Sequence, residues 1–306
     1  IMAPTGSGKT LAAFLWSIDR IAGRLARGED VPGVHTLYLS PLKALGYDVE
    51  HNLRAPLSGI RDAFVAAGHD APEVRVAVRT GDTRPTARAA MIRRPPHLLV
   101  TTPESLFLIL SSPKARHVLE AVRTVIVDEI HAVCDNKRGS HLALSLERLT
   151  ALTGRDVQRI GLSATQRPMS EVARYLGGGT EDAPRPVTLV RAGAAKALDL
   201  GVVTPVADFT ALPDNSVWPD LLPRLLELIR AHRSTLVFVT MRAQAERIGR
   251  QLNELADEDL VRVHHGSLSQ ELRREVEHAL RGGALRAIVA TGTLELGIDV
   301  GAVDLV

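Results

Sequence analysis

The chain has 306 residues, of which 45% are hydrophobic and 24% are charged, and its formal net charge is +2. This length suits two domains that each bury a core, and no apolar run is long enough to span a membrane. The small net charge excludes a polycation that holds nucleic acid by bulk charge, so any nucleic-acid site must be built locally. The single cysteine, Cys134, cannot form an internal disulfide, which favours a reducing, cytoplasmic location.

The first part of the chain alternates helix-period segments with short apolar or β-branched runs. A helix is predicted over residues 10 to 27 and another near residues 43 to 67. The predicted strands are VHTLYLS, VRVAV, HLLVTT, TVIVDE and QRIGLSAT, separated by helical stretches. This order is typical of β-α units on a parallel sheet.

A domain boundary is predicted near residue 195. From about residue 177 the alternation gives way to GGGTEDAPRPV and ALPDNSVWPD, which are rich in turn formers. The alternation then resumes with the helices DLLPRLLELIRAH, RAQAERIGRQLNEL and SQELRREVEHAL and the strands STLVFVT, LVRVHH, LRAIVAT and VDLV. We therefore predict an α/β protein with domains at residues 1–195 and 196–306.

The string APTGSGKT at residues 3–10 fits a P-loop, except that alanine occupies the first glycine position. Glycines let the backbone curl around phosphate oxygens, Lys9 can reach the β- and γ-phosphates, and the Thr10 hydroxyl can ligate Mg²⁺. The plainer alternative is a Gly-Ser turn that starts a helix. The predicted nucleotide-binding residues here are Thr5, Gly6, Ser7, Gly8, Lys9 and Thr10.

Two carboxylates follow the apolar strand at residues 125–127, at the end where parallel sheets place ligands. Asp128 is predicted to hold Mg²⁺, and Glu129 is predicted to orient and deprotonate the attacking water. Alone, such a pair is more often a turn or a helix cap. Together with the P-loop, it predicts a site that hydrolyses ATP with Mg²⁺.

Polar residues near these carboxylates have more than one interpretation. His131 and Cys134 suggest a metal site, but other clustered ligands are missing, so a hydrogen-bonded histidine beside the nucleotide is favoured over zinc. Ser163 and Thr165 end another predicted strand, where their hydroxyls could couple the carboxylates to a neighbouring segment. In isolation their tripeptide is an ordinary helix-start signal.

Taken in order, APTGSGKT, SPLKAL, TTPESL, DEIH, SAT, LVFVTMR and ATGTLELGIDVG resemble the successive motifs of superfamily 2 helicases. The strings RTGDT, KRGSHLALSLERL, HHGSLS and LELGIDVGAVDLV are similar more narrowly to the large helicase-related (Lhr) family. The resemblance covers almost the whole chain. It implies a P-loop NTPase of two tandem RecA-like parallel-sheet domains, with ATP in the cleft between them.

The resemblance also implies an activity. Members are ATP-driven translocases that move 3′ to 5′ on single-stranded DNA and unwind DNA or RNA:DNA duplexes, with roles in DNA repair. By this comparison Lys9, Thr10, Asp128 and Glu129 keep the roles given above. His131, Ser163 and Thr165 would couple hydrolysis to strand binding, and Gly297 and Asp299 would reach the nucleotide from the second domain.

The same resemblance implies contacts with the nucleic-acid strand at strand ends and helix starts, whose amides and hydroxyls grip phosphates without reading bases. The implied residues are Pro41, Lys43, Thr80, Gly81, Thr102, Pro103, Glu104, Arg242, His265, Thr291 and Thr293. Helix capping is the alternative for Thr102 and Pro103, and a loop or core histidine is the alternative for His264 and His265.

The segment at residues 79–96 is basic, and it is interpreted either as an exposed basic face or as a groove wall beside phosphates. Its arginines are Arg79, Arg84, Arg88, Arg93 and Arg94.

Two departures from the family pattern suggest a slice that is truncated at both ends. Only Ile1 and Met2 precede the loop where a strand is expected, and the adenine-reading segment is missing. The motif that normally supplies arginine fingers is also missing after VDLV. An arginine finger contributes roughly three to five orders of magnitude to phosphoryl transfer, so we expect these 306 residues alone to hydrolyse ATP weakly.

Two alternatives to a DNA helicase remain open. An RNA helicase of the same superfamily would grip phosphates in the same way, because such contacts do not reveal the sugar. A nucleotide-gated clamp would bind strands without motor activity, although the presence of Lys9 and Glu129 argues against it.

Overall fold

The computed structural model describes the chain apart from residues 5–6, 42, 165–167, 181–182, 193–198, 207, 209, 211, 213–215 and 293–302. Side chains are described for the remaining residues except 43–52, 270, 274 and 281. The chain divides into two compact units, Ile1–Ala195 and Lys196–Val306. Each unit has its own parallel sheet and apolar core, which confirms the predicted α/β fold.

The first unit alternates helices and strands as predicted. Its helices are α1 (Lys9–Ala26), α2 (Lys43–Ala66), α3 (Pro85–Arg93), α4 (Pro103–Ser111), α5 (Lys137–Thr153) and α6 (Met169–Gly177). Its strands are β1 (Thr36–Leu39), β2 (Val76–Arg79), β3 (Leu98–Thr101), β4 (Thr124–Val127) and β5 (Gln158–Gly161). Short 3-10 turns lie at Arg116–Leu119 and Ile130–Ala132. Within the described residues, the parallel sheet has the strand order β2-β3-β1-β4-β5.

The central strands of this sheet are buried on both faces, as expected when helices cover a parallel sheet on each side. Side chains alternate between the two faces. Leu37 and Leu39 of β1 pack in one core cluster, whereas Tyr38 packs in the other, with Phe14 and Ile18 of α1. The two faces together fix the register of β1, because a slip of one residue would exchange the two sets.

The first residues of the chain take part in the sheet. The Met2 N–H donates to the Val190 carbonyl at 2.8 Å, and the Ala192 N–H donates to the Met2 carbonyl at 2.9 Å. On the other side, the Ala3 N–H donates to the Ser163 carbonyl at 3.2 Å. Met2 therefore lies between the end of β5 and the segment around Val190, and it leads directly into the predicted P-loop.

The second unit contains α7 (Trp218–Ala231), β6 (Thr235–Phe238), α8 (Arg242–Ala256), β7 (Val261–His264), α9 (Gln270–Arg281) and β8 (Ala287–Ala290). Its described strands form a parallel sheet in the order β6-β8-β7. The predicted last strand, VDLV, is reduced to a single bridge between Leu305 and Thr235. Among the described residues, no helix combines the length and apolar character that crossing a membrane requires.

Candidate functional site

The start of α1 has the geometry of an anion site. Gly8, immediately before the helix, has φ of 84°, a left-handed conformation that favours glycine. No described side chain caps this N-terminus, so its first N–H groups remain available to an anion. Lys9 is buried there, and its positive charge lies close enough to Asp128 and Glu129 to oppose the rise in the pKa of both carboxyls. Thr5 and Gly6, also predicted to bind the nucleotide, lie outside the described residues.

The two predicted acidic residues directly follow β4. Asp128 and Glu129 are only 4% and 9% exposed. Asp128 is held by its own N–H, which donates to the Leu39 carbonyl at 2.9 Å, and its Oδ1 accepts from the Glu129 N–H at 2.9 Å. Glu129 has φ of 42°, a left-handed conformation that costs free energy in a residue other than glycine. The sheet therefore places both acids in one turn at its carboxyl-terminal edge.

Burial shifts the proton affinities of this turn. It raises the pKa of Asp128, against the hydrogen bonds from Tyr38 and from the Glu129 N–H. It also raises the pKa of Glu129, and the neighbouring negative charge of Asp128 adds to that rise. Burial and the positive charge of Lys9 lower the pKa of His131, so the imidazole is neutral. A carboxylate with a raised pKa is suited to accept a proton near neutral pH.

His131 joins Glu129 to Ser163. Ser163 Oγ lies 3.1 Å from His131 Nδ1 and 2.9 Å from the Ala164 carbonyl oxygen. The other ring nitrogen, Nε2, lies 3.4 Å from Glu129 Oε2, so the neutral ring that connects the two carries its proton on Nε2, facing the carboxylate, while Nδ1 accepts from the Ser163 hydroxyl. This chain of side chains has the geometry that coupling requires, although the coupling role itself stays a prediction. Thr165 lies outside the described residues.

Tyr38 belongs to this site, and the sequence reasoning missed it. Its buried hydroxyl donates to Asp128 Oδ2 and also hydrogen-bonds to the Thr10 side chain. One hydroxyl thus joins the two residues predicted to hold Mg²⁺. A tyrosine within the buried strand TLYL could have revealed it, because a buried phenol needs a hydrogen-bond partner.

The residues present fit Mg²⁺ and a nucleoside triphosphate. The uncapped start of α1 and the ammonium of Lys9 suit phosphate oxygens. Within the described residues, no group of three or more His, Cys, Asp or Glu side chains could form a metal cage. A pair such as Thr10 and Asp128 suits Mg²⁺, because this ion is usually bound by one or two carboxylates together with substrate phosphates and water.

The predicted strand contacts of the first unit all follow the carboxyl ends of β1, β2 and β3. Thr102 caps α4, since its hydroxyl accepts from the Ser105 N–H at 3.3 Å, so the capping interpretation holds. Thr80 Oγ1 accepts from the Asp82 N–H at 3.2 Å and so forms part of a turn that includes Gly81. Pro103 and Glu104 begin α4, and Pro41 follows β1. Lys43 begins α2, but its side chain is not described.

A second residue that the sequence reasoning missed, Arg138, connects two of these loops. Its Nε donates to Glu104 Oε1 at 2.7 Å, and its Nη2 donates to the Pro41 carbonyl at 2.9 Å. It lies in the string KRGSH, which contributed to the resemblance only as a pattern.

In the basic segment at residues 79–96, some arginines form hydrogen bonds or ion pairs within the first unit. Arg88 Nη2 donates to the Gly81 carbonyl at 2.7 Å, and Arg94 pairs with Glu73 at 3.0 Å. Burial, together with the charge of Arg88, lowers the pKa of Arg79. Exposed positions are held by Arg84 and Arg93, so the exposed face and the groove wall both remain open as interpretations.

In the second unit, the predicted contacts Arg242 and His265 lie near one hydroxyl group. Arg242 begins α8, and its Nη1 donates to Ser267 Oγ at 2.6 Å. The Ser267 N–H donates to His265 Nδ1 at 3.3 Å, so the proton of the neutral ring lies on Nε2, which donates to Glu246 Oε1 at 2.7 Å. Both ring nitrogens are thus used, and a strand contact by His265 stays a prediction.

Thr291 directly follows β8, as expected for a contact at a strand end, and its N–H donates to the His264 carbonyl at 3.3 Å. Thr293, Gly297 and Asp299 lie outside the described residues.

Comparison with known families agrees with this arrangement. A family model described as DEAD/DEAH box helicase matches residues 1–172, which is more than half of the chain. The chain belongs to the DEAD/DEAH box helicase family. A second model, described as helicase conserved C-terminal domain, matches residues 219–306.

The predicted resemblance to Lhr proteins is confirmed. The "Lhr helicase/ probable uracil glycosylase" of Mycolicibacterium smegmatis is 51% identical to this chain, in an alignment that covers 100% of this chain and 22% of that protein. The "ATP-dependent helicase Lhr-Core" of Methanothermobacter thermautotrophicus is 46% identical to this chain, in an alignment that covers 100% of this chain and 36% of that protein. The chain thus spans about a fifth to a third of these curated relatives.

Solved structures of two helicases have the same fold. The structure of Mycobacterium smegmatis helicase Lhr bound to ssDNA and AMP-PNP matches with a TM-score of 0.85 and 54% identity, over 100% of this chain and 39% of that one. The DUF1998 helicase MrfA bound to DNA and AMPPNP matches with a TM-score of 0.74 and 26% identity, over 99% of this chain and 41% of that one.

Proposed function

We propose that the protein is an ATP-dependent helicase that translocates 3′ to 5′ on single-stranded DNA and unwinds DNA or RNA:DNA duplexes. One observation carries the proposal. Lys9 at an uncapped helix start, Thr10, and the buried acids Asp128 and Glu129 meet at the carboxyl-terminal edge of the sheet of a helicase-family chain. The ssDNA and AMP-PNP bound to the Mycobacterium smegmatis relative support DNA and ATP as ligands.

The first unit carries the proposed hydrolysis. Lys9 and the amides at the start of α1 bind the phosphates and orient them. Thr10 and Asp128 hold Mg²⁺, which when bound neutralises charge on the phosphate oxygens. Glu129 orients the attacking water and accepts its proton, and its raised pKa suits that task. His131 and Ser163 link Glu129 to the neighbouring strand end, through which hydrolysis is coupled to strand binding.

The strand contacts proposed for both units lie where helices start and strands end, so they grip phosphates without reading sequence. The direction of movement and a role in DNA repair rest on the family resemblance. The name of the Mycolicibacterium smegmatis relative, which joins a helicase to a probable uracil glycosylase, supports the repair role. A cytoplasmic location is proposed from the single cysteine.

The test is steady-state ATP hydrolysis by the full-length protein with single-stranded DNA, with single-stranded RNA and without nucleic acid. We expect strong stimulation by DNA, and a loss of at least 100-fold in Glu129→Gln, because the attacking water loses its base. Stimulation by RNA alone would favour an RNA helicase. Glu129→Gln that behaves like wild type would favour the nucleotide-gated clamp. Displacement of streptavidin from the 5′ end of DNA, but not from the 3′ end, would support the 3′ to 5′ direction.

A further inference from the structure

Arg138 connects two loops that the proposed function assigns to strand contact. One of its nitrogens, Nε, donates to Glu104 in the first turn of α4, and another, Nη2, donates to the carbonyl of Pro41 after β1. These two acceptors follow neighbouring strands of the sheet. A single planar guanidinium therefore sets the spacing between the loop at Pro41 and the start of α4 at Glu104.

Stability alone does not account for this arrangement. The side chains of Arg138 and Glu104 are 45% and 55% exposed, and ion pairs of such exposure contribute little to folding. The planar guanidinium of Arg138 holds its two donors, Nε and Nη2, at fixed angles to the two acceptors. A lysine has a single ammonium and cannot reproduce this arrangement. A role in positioning the loops explains the geometry better than a role in folding.

Hydrogen bonds of Asn136 and a close backbone contact at Gly139 tie the turn after Glu129 to the start of α5, where Arg138 lies. Asn136 Oδ1 accepts from the N–H of Arg138 at 3.0 Å, while Asn136 Nδ2 donates to the Ala132 carbonyl at 3.1 Å. A Cβ placed on Gly139 would lie 1.9 Å from the carbonyl oxygen of Val133, so the backbone makes close contact there.

We propose that Arg138 is a positioning residue that couples the acidic turn of the nucleotide site to the two strand-contact loops. The proposal rests on the proposed function, since both the turn and the loops take their roles from it. When nucleotide changes the position of the acidic turn, α5 and Arg138 move with it and reset the spacing between Pro41 and Glu104. Strand affinity then depends on the nucleotide state.

The measurement is the ratio of single-stranded DNA dissociation constants with and without a non-hydrolysable ATP analogue, for the full-length protein. Coupling between sites is typically 5- to 150-fold, so we expect Arg138→Ala to bring this ratio at least about fivefold closer to one. Arg138→Lys should not restore it, and Glu104→Gln should reduce it part of the way. Arg148→Ala is the matched control, since Arg148 lies on the same helix and reaches Ser111 at the far end of α4.

Three results would overturn the proposal. An unchanged ratio in Arg138→Ala, or an equal loss in Arg148→Ala, would remove the coupling role. A fall of about one in the slope of log affinity against log salt for Arg138→Ala would instead indicate a direct phosphate contact. The proposed function fails separately, if wild type shows no DNA-stimulated ATP hydrolysis. Glu104→Gln keeps the proposal testable if Arg138→Ala does not fold.

Discussion

Acid should destabilise the first unit through two buried histidines at the amino-terminal edge of its sheet. His35 and His97 are 2% and 1% exposed, and the N–H of His35 donates to the carbonyl of His97 at 2.8 Å. Burial, with the nearby charges of Arg24 and Arg75 respectively, lowers the pKa of each imidazole to about 4. His97 Nδ1 also accepts from the Arg75 N–H at 3.2 Å, a hydrogen bond that protonation of Nδ1 would break.

Because both pKa values are lowered in the folded state, acid favours the unfolded chain. The unfolded histidines titrate near pH 6.5, so between pH 6.5 and pH 4 the unfolded chain binds more protons than the folded one. Stability is therefore complete above pH 6.5 and falls as the pH decreases towards 4. With pKa values of about 4, each histidine should remove about 2 kcal/mol from the free energy of unfolding between pH 7 and pH 5.

The perturbation is His97→Asn, because an asparagine Oδ1 can accept from the Arg75 N–H in place of Nδ1 and does not titrate. The chain has two tryptophans, so Trp218→Phe leaves Trp16 as a fluorescent reporter of the first unit. Urea unfolding of the Trp218→Phe background at pH 7 and at pH 5 measures the acid loss, the decrease in the free energy of unfolding between these two pH values. We expect the loss to be smaller by about 2 kcal/mol in His97→Asn.

Exposed His69 provides the control, and His69→Asn should lose as much stability as the background. An acid loss in His97→Asn equal to that of the background would refute the reasoning. It would mean that His97 stays neutral at pH 5 in the unfolded chain as well, or is charged in both states.

Two further substitutions test contacts described above. Tyr38→Phe removes the hydroxyl that holds Asp128 but keeps the aromatic ring. We expect the rate of ATP hydrolysis to fall about 10- to 100-fold, because hydrogen bonds to charged groups contribute about 1.5–3 kcal/mol. A raised Mg²⁺ requirement in a nucleotide-binding titration would support this explanation, and a wild-type rate with wild-type binding would contradict it. Gly139→Ala should lower the free energy of unfolding by about 1–3 kcal/mol, because the added methyl group would overlap the Val133 carbonyl. Gly59→Ala is the control: open space surrounds Gly59, so this substitution should raise the free energy of unfolding by up to about 1 kcal/mol. Equal effects of the two substitutions in a urea titration would contradict the predicted overlap.

The arrangement of strands and helices could be predicted because its signals are local. Apolar runs such as TVIV and LLVT mark strands buried on both faces, and helix-period stretches between them predict the crossovers. The same reasoning placed Asp128 and Glu129 at the carboxyl end of β4, where the structure has them. Asp128 and Glu129 directly follow the apolar run TVIV, so their position at the end of the strand could be predicted from the local sequence.

Contacts between distant segments could not be predicted in this way. Tyr38 and Asp128 are 90 residues apart, and Arg138 reaches Pro41 across 97 residues. These contacts depend on which strands are neighbours in the sheet and on where α5 packs beside it, and the local sequence specifies neither. His265 shows the same limit, since only the fold reveals that Glu246 and Ser267 occupy its ring nitrogens.

The position of Met2 between the end of β5 and the segment near Val190 has a consequence for biosynthesis. The sheet edge that supports the phosphate loop closes only when the backbone of residues 190–192 is present. At roughly 5–20 residues per second, a ribosome needs about 10–40 s to add the intervening chain. During that interval the segment around Met2 has no partner on one side, and it is then open to chaperones or to competing strands. We therefore expect the predicted P-loop to reach its folded geometry only after residues 190–192 have been synthesised.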